Sequence, residues 1–178
     1  MNHDRYDDAY IAAVLNESRS IAMVGASANI NRPSYFALKY LVGKGYRVHP
    51  INPGLAGKEI AGQHVYGALE DVPAPVDMVD IFRNSDAALA VTREAIRLKD
   101  CLRIKTVWMQ LSVRNEEAAA EAEAAGLKVV MNRCPKIEYG RLSGEIGWVG
   151  VNAGVISSRR PILGSGVQNQ LIGRPRRP

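Results

Sequence analysis

Apolar and polar positions follow two different periods along the chain, and the changes of period divide it into elements. Over residues 7–18, Tyr10, Ile11, Val14 and Leu15 fall on one side of a helical repeat and predict an amphipathic helix. Residues 20–24, SIAMV, form a short apolar run and predict a buried strand. Pro33 suits the first turn of a helix, where its missing N–H is no loss. Ala37, Leu38, Leu41 and Val42 share one face of that helix, and Gly43 and Gly45 close it. Residues 46–51 predict a second strand, and Asn52-Pro53-Gly54 turns the chain sharply. Glycines and prolines then punctuate residues 54–75, around a short apolar piece at 64–66. Residues 76–82 predict a strand that carries two acids, Asp77 and Asp80. Ser85 is the expected N-cap of a helix running to about Lys99, with Arg97 and Lys99 in its last turn. Residues 104–111 predict a strand. Asn115 caps an Ala/Glu helix, with Glu116 and Glu117 in its first turn and Gly126 at its end. Residues 127–131 predict the last strand.

Strands and helices therefore alternate with short connections, and the strands are apolar runs rather than alternating ones. Both features point to an α/β fold: a doubly wound, Rossmann-like parallel sheet with helices on both faces. Ligands of such sheets bind beyond the carboxyl ends of the strands, where the strand order reverses. That rule selects the loops at 25–32, 52–57, 82–85 and 110–114, and a fifth at 132–135.

Composition narrows the class. A chain of 178 residues suggests one domain. Cys101 and Cys134 lie far apart with no CxxC, so neither a disulfide framework nor a zinc knuckle is expected, and a reducing cytoplasm is the default. The N-terminal MNHDRYDDAY has no apolar signal core, and no apolar run approaches the ~20 residues of a membrane span. The net charge is +5, of which +4 falls in residues 143–178, where Arg159, Arg160, Arg174, Arg176 and Arg177 face only Glu145. The basic character belongs to the tail, so nucleic-acid binding by the body gains little from it.

The chemistry concentrates in the first loop. Gly25 lets backbone approach a ligand closely, Ser27 and Asn29 follow, and Arg32 stands just before the helix. A helix start with a forked cation beside it favours an anion. The spacing is not G-x-G-x-x-G, because the next glycine after Gly25 is Gly43. A dinucleotide site also wants an acid at the end of the second strand, and RVHPINP ends there in Asn52-Pro53. No G-x-x-x-x-G-K-[ST] and no G-x-S-x-G occurs. His3, His49 and His64 are scattered, without metal-ligand spacing. His49 can be offered as a base, although its place inside a strand favours a structural role. Cys134 sits at a strand end where a nucleophile could stand, but no histidine adjoins it, and a buried thiol is the plainer reading.

Five segments in order carry a resemblance: VGAS after the first strand, RPSY at the helix start, HPINP after the second strand, VDMVDIFRNSD in the middle and VVMNRCPKIEY at the end. Over roughly residues 8–142 the chain resembles the small stand-alone CoA-binding-domain proteins, which are similar to the N-terminal domain of the succinyl-CoA synthetase alpha subunit. The resemblance implies coenzyme A or an acyl-CoA as ligand. Gly25, Ala26, Ser27, Asn29, Arg32 and Ser34 would take the phosphates of the ADP part. Asn52 and Pro53 would flank the adenosine. Phe82, Arg83, Gln110 and Leu111 would line the cleft along the pantetheine. The coenzyme thiol would come near Cys134, with a mixed disulfide as one option.

The expected protein is then a cytoplasmic CoA-binding domain at residues 1–142, without catalysis of its own. The synthetase it resembles also needs a phosphate-carrying histidine and a nucleotide-binding subunit, and neither is visible here. The rival reading is an NAD(P)-dependent oxidoreductase on the same fold, and a third is a nucleic-acid-associated module acting through the tail. Residues 143–178 read as an extension, a Gly-rich strap around Trp148 followed by a flexible basic tail. Removing residues 159–178 is expected to leave folding and affinity nearly unchanged.

Overall fold

The computed structural model describes residues 1–144. Helix α1 (Asp8–Glu17) opens where the Asp7 carboxylate accepts the N–H of Ala9, an N-cap that satisfies an otherwise orphaned donor. It feeds β1 (Ser20–Val24), followed by α2 (Pro33–Gly43) and β2 (Arg47–Ile51). The Gly/Pro-rich stretch folds into a 3-10 turn (Pro53–Leu55), a small antiparallel hairpin of β3 (Glu59–Ile60) and β4 (Gln63–His64), and a second 3-10 turn (Leu69–Asp71). The apolar piece at 64–66 runs beside β2, where Tyr66 bridges Ile51. Then come β5 (Met78–Ile81), α3 (Ser85–Leu102), β6 (Thr106–Met109), α4 (Glu116–Ala124), β7 (Lys128–Val130) and α5 (Pro135–Leu142).

Five strands form one parallel sheet in the order β2-β1-β5-β6-β7. The chain builds outward from β1 to β2, then crosses back to β5 and builds the other way. The reversal of order therefore lies between β1 and β5, and the crevice expected for a ligand opens above their carboxyl ends. Each face of the sheet has its own apolar core. One holds Val79, Val107 and Val129 beneath α3 and α4. The other holds Met23, Met78 and Trp108 beneath α1, α2 and α5. The doubly wound α/β reading of the sequence is the observed architecture.

Three details differ from the sequence reading. The cap of α3 is Asn84 rather than Ser85: the Asn84 side chain accepts the N–H of Ala87 at 3.0 Å. Ser85 instead opens the helix, and its hydroxyl accepts the N–H of Arg114 at 3.1 Å, tying α3 to the loop after β6. The same helix continues past Lys99 to Leu102, where Arg103 in the left-handed conformation (φ 62°) ends it. Residues 135–142, for which the apolar pattern predicts no element, form α5. The strap and basic tail read from the sequence lie, from residue 145 on, outside the described residues. No described helix is long and apolar enough to cross a membrane.

The outer edge of β7 is covered by the N-terminal segment. The Tyr6 hydroxyl accepts the N–H of Met131 at 2.7 Å. The Tyr10 hydroxyl accepts the N–H of Val129 and donates to its carbonyl. Tyrosine side chains thus satisfy donors that an open sheet edge would leave bare. Arg133 stacks over the Tyr6 ring, 5.6 Å from its centre, which fastens the same segment to the loop before α5.

Candidate functional site

Gly25 ends β1 with φ +89°, a conformation that side chains disfavour. Its N–H and that of Ala26 both donate to the Ile51 carbonyl, at 3.0 and 3.3 Å. A Cβ at Gly25 would stand 2.5 Å from the Phe82 carbonyl oxygen and 3.0 Å from Arg83 Cδ. The turn is thus squeezed between the ends of β2 and β5, with the Arg83 stem lying against it. Only glycine fits this place.

Beyond it the chain hardens into a series of side-chain-supported turns. Ser34 Oγ accepts the N–H of Ser27, Ser27 Oγ accepts the N–H of Asn29, and the Asn29 side chain accepts the N–H of Asn31. The loop arrives at α2 with Arg32 in the N-cap position and no side-chain cap. Asn52 is likewise occupied: its Nδ2 donates to the Ala26 carbonyl at 2.7 Å, and its Oδ1 accepts the N–H of Gly54. Its amide locks the β1 and β2 loops together.

These loops wall a cavity of about 1150 Å³, larger than the roughly 300–1,000 Å³ typical of small-molecule pockets. Of the loop residues singled out by sequence, Gly25, Ala26, Ser27, Arg32 and Ser34 line it. Asn52, Pro53, Phe82, Arg83, Gln110 and Leu111 line it too. Asn29 does not line it; its side chain is spent inside its own turn. The wall also includes Phe36, Glu94, Lys136 and Ile137, which sequence reasoning did not select. Cys134, near which the coenzyme thiol is expected, is on the wall as well.

The electrostatics favour an anion. Arg32, Arg83 and Lys136 are the cations of the wall, and Glu94 is its carboxylate. Arg32 and Arg83 are exposed and pair with no carboxylate among the described residues, whereas Arg93, Arg97, Arg114, Arg133 and Arg141 are all ion-paired. Three helices start at the cavity, α2, α3 and α5, and of these α2 and α5 lack a side-chain cap. The other three described helices, α3 among them, are capped by Asp7, Asn84 and Asn115. Uncapped N–H groups and the positive helix end add to the pull of the cations. Burial together with neighbouring Glu70 raises the Glu94 carboxyl above its usual range, against the pull of Arg97.

α5 reaches the cavity because a set of polar contacts holds it in place. Trp108 Nε1 donates to the Arg133 carbonyl at 2.7 Å, and Asn132 Oδ1 accepts the N–H of Ser112. Glu138 is buried and pairs with Arg141 at 2.7 Å and Arg133 at 3.6 Å, and Arg141 pairs in turn with Asp8 of α1. The chain thus returns over the sheet and delivers Cys134, Lys136 and Ile137 to the cavity wall.

Beneath the floor lies a buried acid. Asp80 of β5 is 0% exposed and sits opposite Trp108 in the sheet. Both of its oxygens accept from Gln110 Nε2, at 2.9 and 3.1 Å. Burial pushes its carboxyl up to about 8, against the Gln110 hydrogen bond. The Cys134 thiol is pushed up to about 11, first by burial and then by the nearby Asp80, despite the N–H groups of Ile137 and Lys136. That thiol is a poor nucleophile at neutral pH. None of the three histidines lines the cavity. His49 of β2 is half-buried and bonds Ser20 Oγ at 3.1 Å, and burial lowers its basicity. No group of His, Cys, Asp or Glu able to hold a metal occurs among the described residues.

Comparisons with known proteins agree with this geometry. Residues 19–140 match the family described as CoA binding domain. The chain is 30% identical over 131 residues to the Bacillus subtilis protein YneT, an overlap of 74% of this chain and 93% of that one. A protein of Pyrococcus horikoshii OT3 is similar in structure, with a TM-score of 0.72 and 34% identity over 80% of this chain and 96% of its own. The dinucleotide-forming acetyl-coenzyme A synthetase 1 of Ca. Korarchaeum cryptofilum, solved with phosphate and ADP, is similar over 68% of this chain and 27% of its own. Its identity is 29% and its TM-score 0.56.

Proposed function

The chain belongs to the CoA-binding domain family, and on that premise we propose that the cavity between β1 and β5 holds coenzyme A, free or acylated, with no catalysis by this chain itself. The observation that carries the reading is the placement of Arg32, Arg83 and the uncapped start of α2 at the reversal of strand order, unpaired and on one wall. Such a set suits a ligand with several phosphates and a long neutral arm. Arg32 and the first N–H groups of α2 would grip phosphate, with Gly25 keeping the backbone low enough for the ligand to pass. Asn52 and Pro53 would shape the adenosine end. Phe82, Arg83, Gln110 and Leu111 would run along the pantetheine. Size supports this, since the cavity exceeds what a small substrate needs.

The non-catalytic reading is supported by the state of the groups on the wall. The thiol of Cys134 stays protonated at neutral pH, and no histidine is at hand. An NAD(P) cofactor on the same fold would want an acid at the end of β2 to bind ribose hydroxyls. That place is held by Asn52, whose amide is already committed on both sides.

Calorimetric titration of the full chain with CoA, acetyl-CoA, NAD⁺ and NADP⁺ tests the proposal. CoA or its thioester should bind and the nicotinamide nucleotides should not at comparable concentration. Tight NAD(P) binding with silent CoA would reverse the choice. Turnover of CoA, ATP and short carboxylates to thioester by the purified chain would end the non-catalytic reading.

A further inference from the structure

The Asp80–Gln110 pair has a polarity that the rest of the cavity lacks. Only the NH₂ end of a Gln side chain can donate to a carboxyl oxygen, and Gln110 Nε2 lies within 2.9 and 3.1 Å of both Asp80 oxygens. The pair is buried between the sheet and α5, with Asp80 wholly enclosed and Gln110 6% exposed. With its nitrogen held inward, the amide turns its other end, Oε1, toward the cavity that Gln110 lines. Oε1 has no hydrogen-bond partner among the described residues and is not among the fully buried unpaired atoms. The other side-chain acceptors that sequence placed on this wall are spent: Ser27 Oγ, Ser34 Oγ and Asn52 Oδ1 each accept a backbone N–H. Both Asp80 oxygens stand at Nε2, so the nitrogen is the end of the amide that the carboxyl holds.

The geometry points to Gln110 Oε1 as the specificity-determining acceptor of the cavity floor, receiving an amide N–H of the ligand's pantetheine arm, with Asp80 as the positioning residue that aims it. This rests on the coenzyme A reading above and deepens it by naming the part of the ligand that is read. A floor with one neutral acceptor discriminates by hydrogen-bond donors. Phosphate is left to Arg32 and the start of α2, and the adenosine end to Asn52 and Pro53. The pantetheine arm carries two amides, each with one N–H. A ligand that lacks the arm, such as adenosine 3′,5′-bisphosphate, gains nothing from Gln110.

The experiment is a titration of the full chain with CoA and with adenosine 3′,5′-bisphosphate, on the parent, Gln110→Met and Asp80→Leu. Gln110→Met should weaken CoA about 5–20-fold, the range for one neutral hydrogen bond plus an unpaired donor, and leave the bisphosphate within about twofold, since that fragment makes no contact there. Asp80→Leu removes the group that holds Nε2, so it should weaken CoA about 5–20-fold and leave the bisphosphate within about twofold. Equal weakening of both ligands by Gln110→Met, or no weakening of either, overturns the assignment. So does unchanged CoA affinity in Asp80→Leu. A second measurement needs no variant: CoA analogues with each amide N–H in turn replaced by an ester oxygen. One of the two should bind the parent about 5–20-fold more weakly; full affinity for both overturns the assignment. If the parent binds neither CoA nor the bisphosphate, the coenzyme reading itself has failed. If it binds both and the Gln110 results are flat, only the present inference has.

Discussion

Gly25→Ala tests the junction on which both the fold and the cavity depend. The added Cβ would stand 2.5 Å from the Phe82 carbonyl oxygen and 3.0 Å from the Phe82 carbonyl carbon. Both are backbone atoms of a neighbouring parallel strand end, pinned by the bond from the Phe82 N–H to the Val24 carbonyl at 2.8 Å. They cannot swing aside as a side-chain tip would. Holding alanine at φ +89° costs about 1–2 kcal/mol by itself. Moving β5 away from β1 to relieve the overlap adds about 1–3 kcal/mol, as overpacking does elsewhere. The sum, about 2–5 kcal/mol, corresponds to a fall in melting temperature of about 6–15 °C for a domain of this size. The affinity for CoA should also fall, because the displaced atoms carry Phe82 and Arg83, both on the cavity wall. Differential scanning calorimetry and titration on the same preparation read the two effects. A variant that melts within about 1 °C of the parent and binds CoA equally would show that the turn has slack, and the account of Gly25 would be wrong.

The remaining predictions address separate parts of the molecule. Arg32→Ala should weaken CoA by about 1.5–3 kcal/mol, the range for hydrogen bonds to charged groups, with little change in melting temperature because Arg32 is exposed; parallel titration and thermal melts check it. Asp80 is held protonated by burial up to about pH 8, while an unfolded Asp ionises near 3.9. The folded state therefore keeps a proton that the unfolded state releases, so stability is highest below about pH 4, falls as pH rises toward 8, and levels off above it. Urea unfolding of the parent and Asp80→Asn across that range should show a shallower fall in the variant. Tyr6→Phe strips the partner from the Met131 N–H at the β7 edge and should cost about 1–2 kcal/mol in the same urea assay. With a thiol pushed up to about 11, Cys134 should resist alkylation at neutral pH while exposed Cys101 reacts, as peptide mass mapping after iodoacetamide will show. By the same logic a mixed disulfide between Cys134 and coenzyme thiol should not accumulate.

What was legible in the sequence was whatever is decided locally. The run SIAMV at 20–24, Pro33 at a helix start and Asn115 before two glutamates each encode their element within a few residues, so β1, α2 and the cap of α4 fall where the pattern puts them. The N-cap of α3 moved by one because Asn84 and Ser85 are adjacent and both can cap; only the bond from the Ala87 N–H distinguishes them. The strands at 76–82 and 104–111 shorten to Met78–Ile81 and Thr106–Met109, because pairing, unlike apolarity, stops where the neighbouring strand stops.

The helix α5 was illegible for a different reason. PKIEYGRL offers a glycine in its middle and a glutamate where the core lies, so its own pattern argues against a buried helix. It forms because Glu138 meets Arg141 and Arg133 and because Tyr139 packs edge-on against Tyr40 and Tyr46. All but Arg141 of these partners lie outside the helix, and Tyr46 and Tyr40 stand 93 and 99 residues before Tyr139. The same holds for the site. The loops that wall the cavity could be selected from topology alone, because a parallel sheet with one reversal has one place for its ligand. The occupancy of each side chain could not. Asn52 looks in sequence like a ligand group, yet its amide is consumed by Ala26 and Gly54. Gln110 looks like any polar residue at a strand end, and becomes a directed acceptor only because Asp80, thirty residues before it, is sealed beneath it. Which polar atoms remain free to meet a ligand is a property of the finished hydrogen-bond network, and that network closes over sequence separations that no local pattern spans.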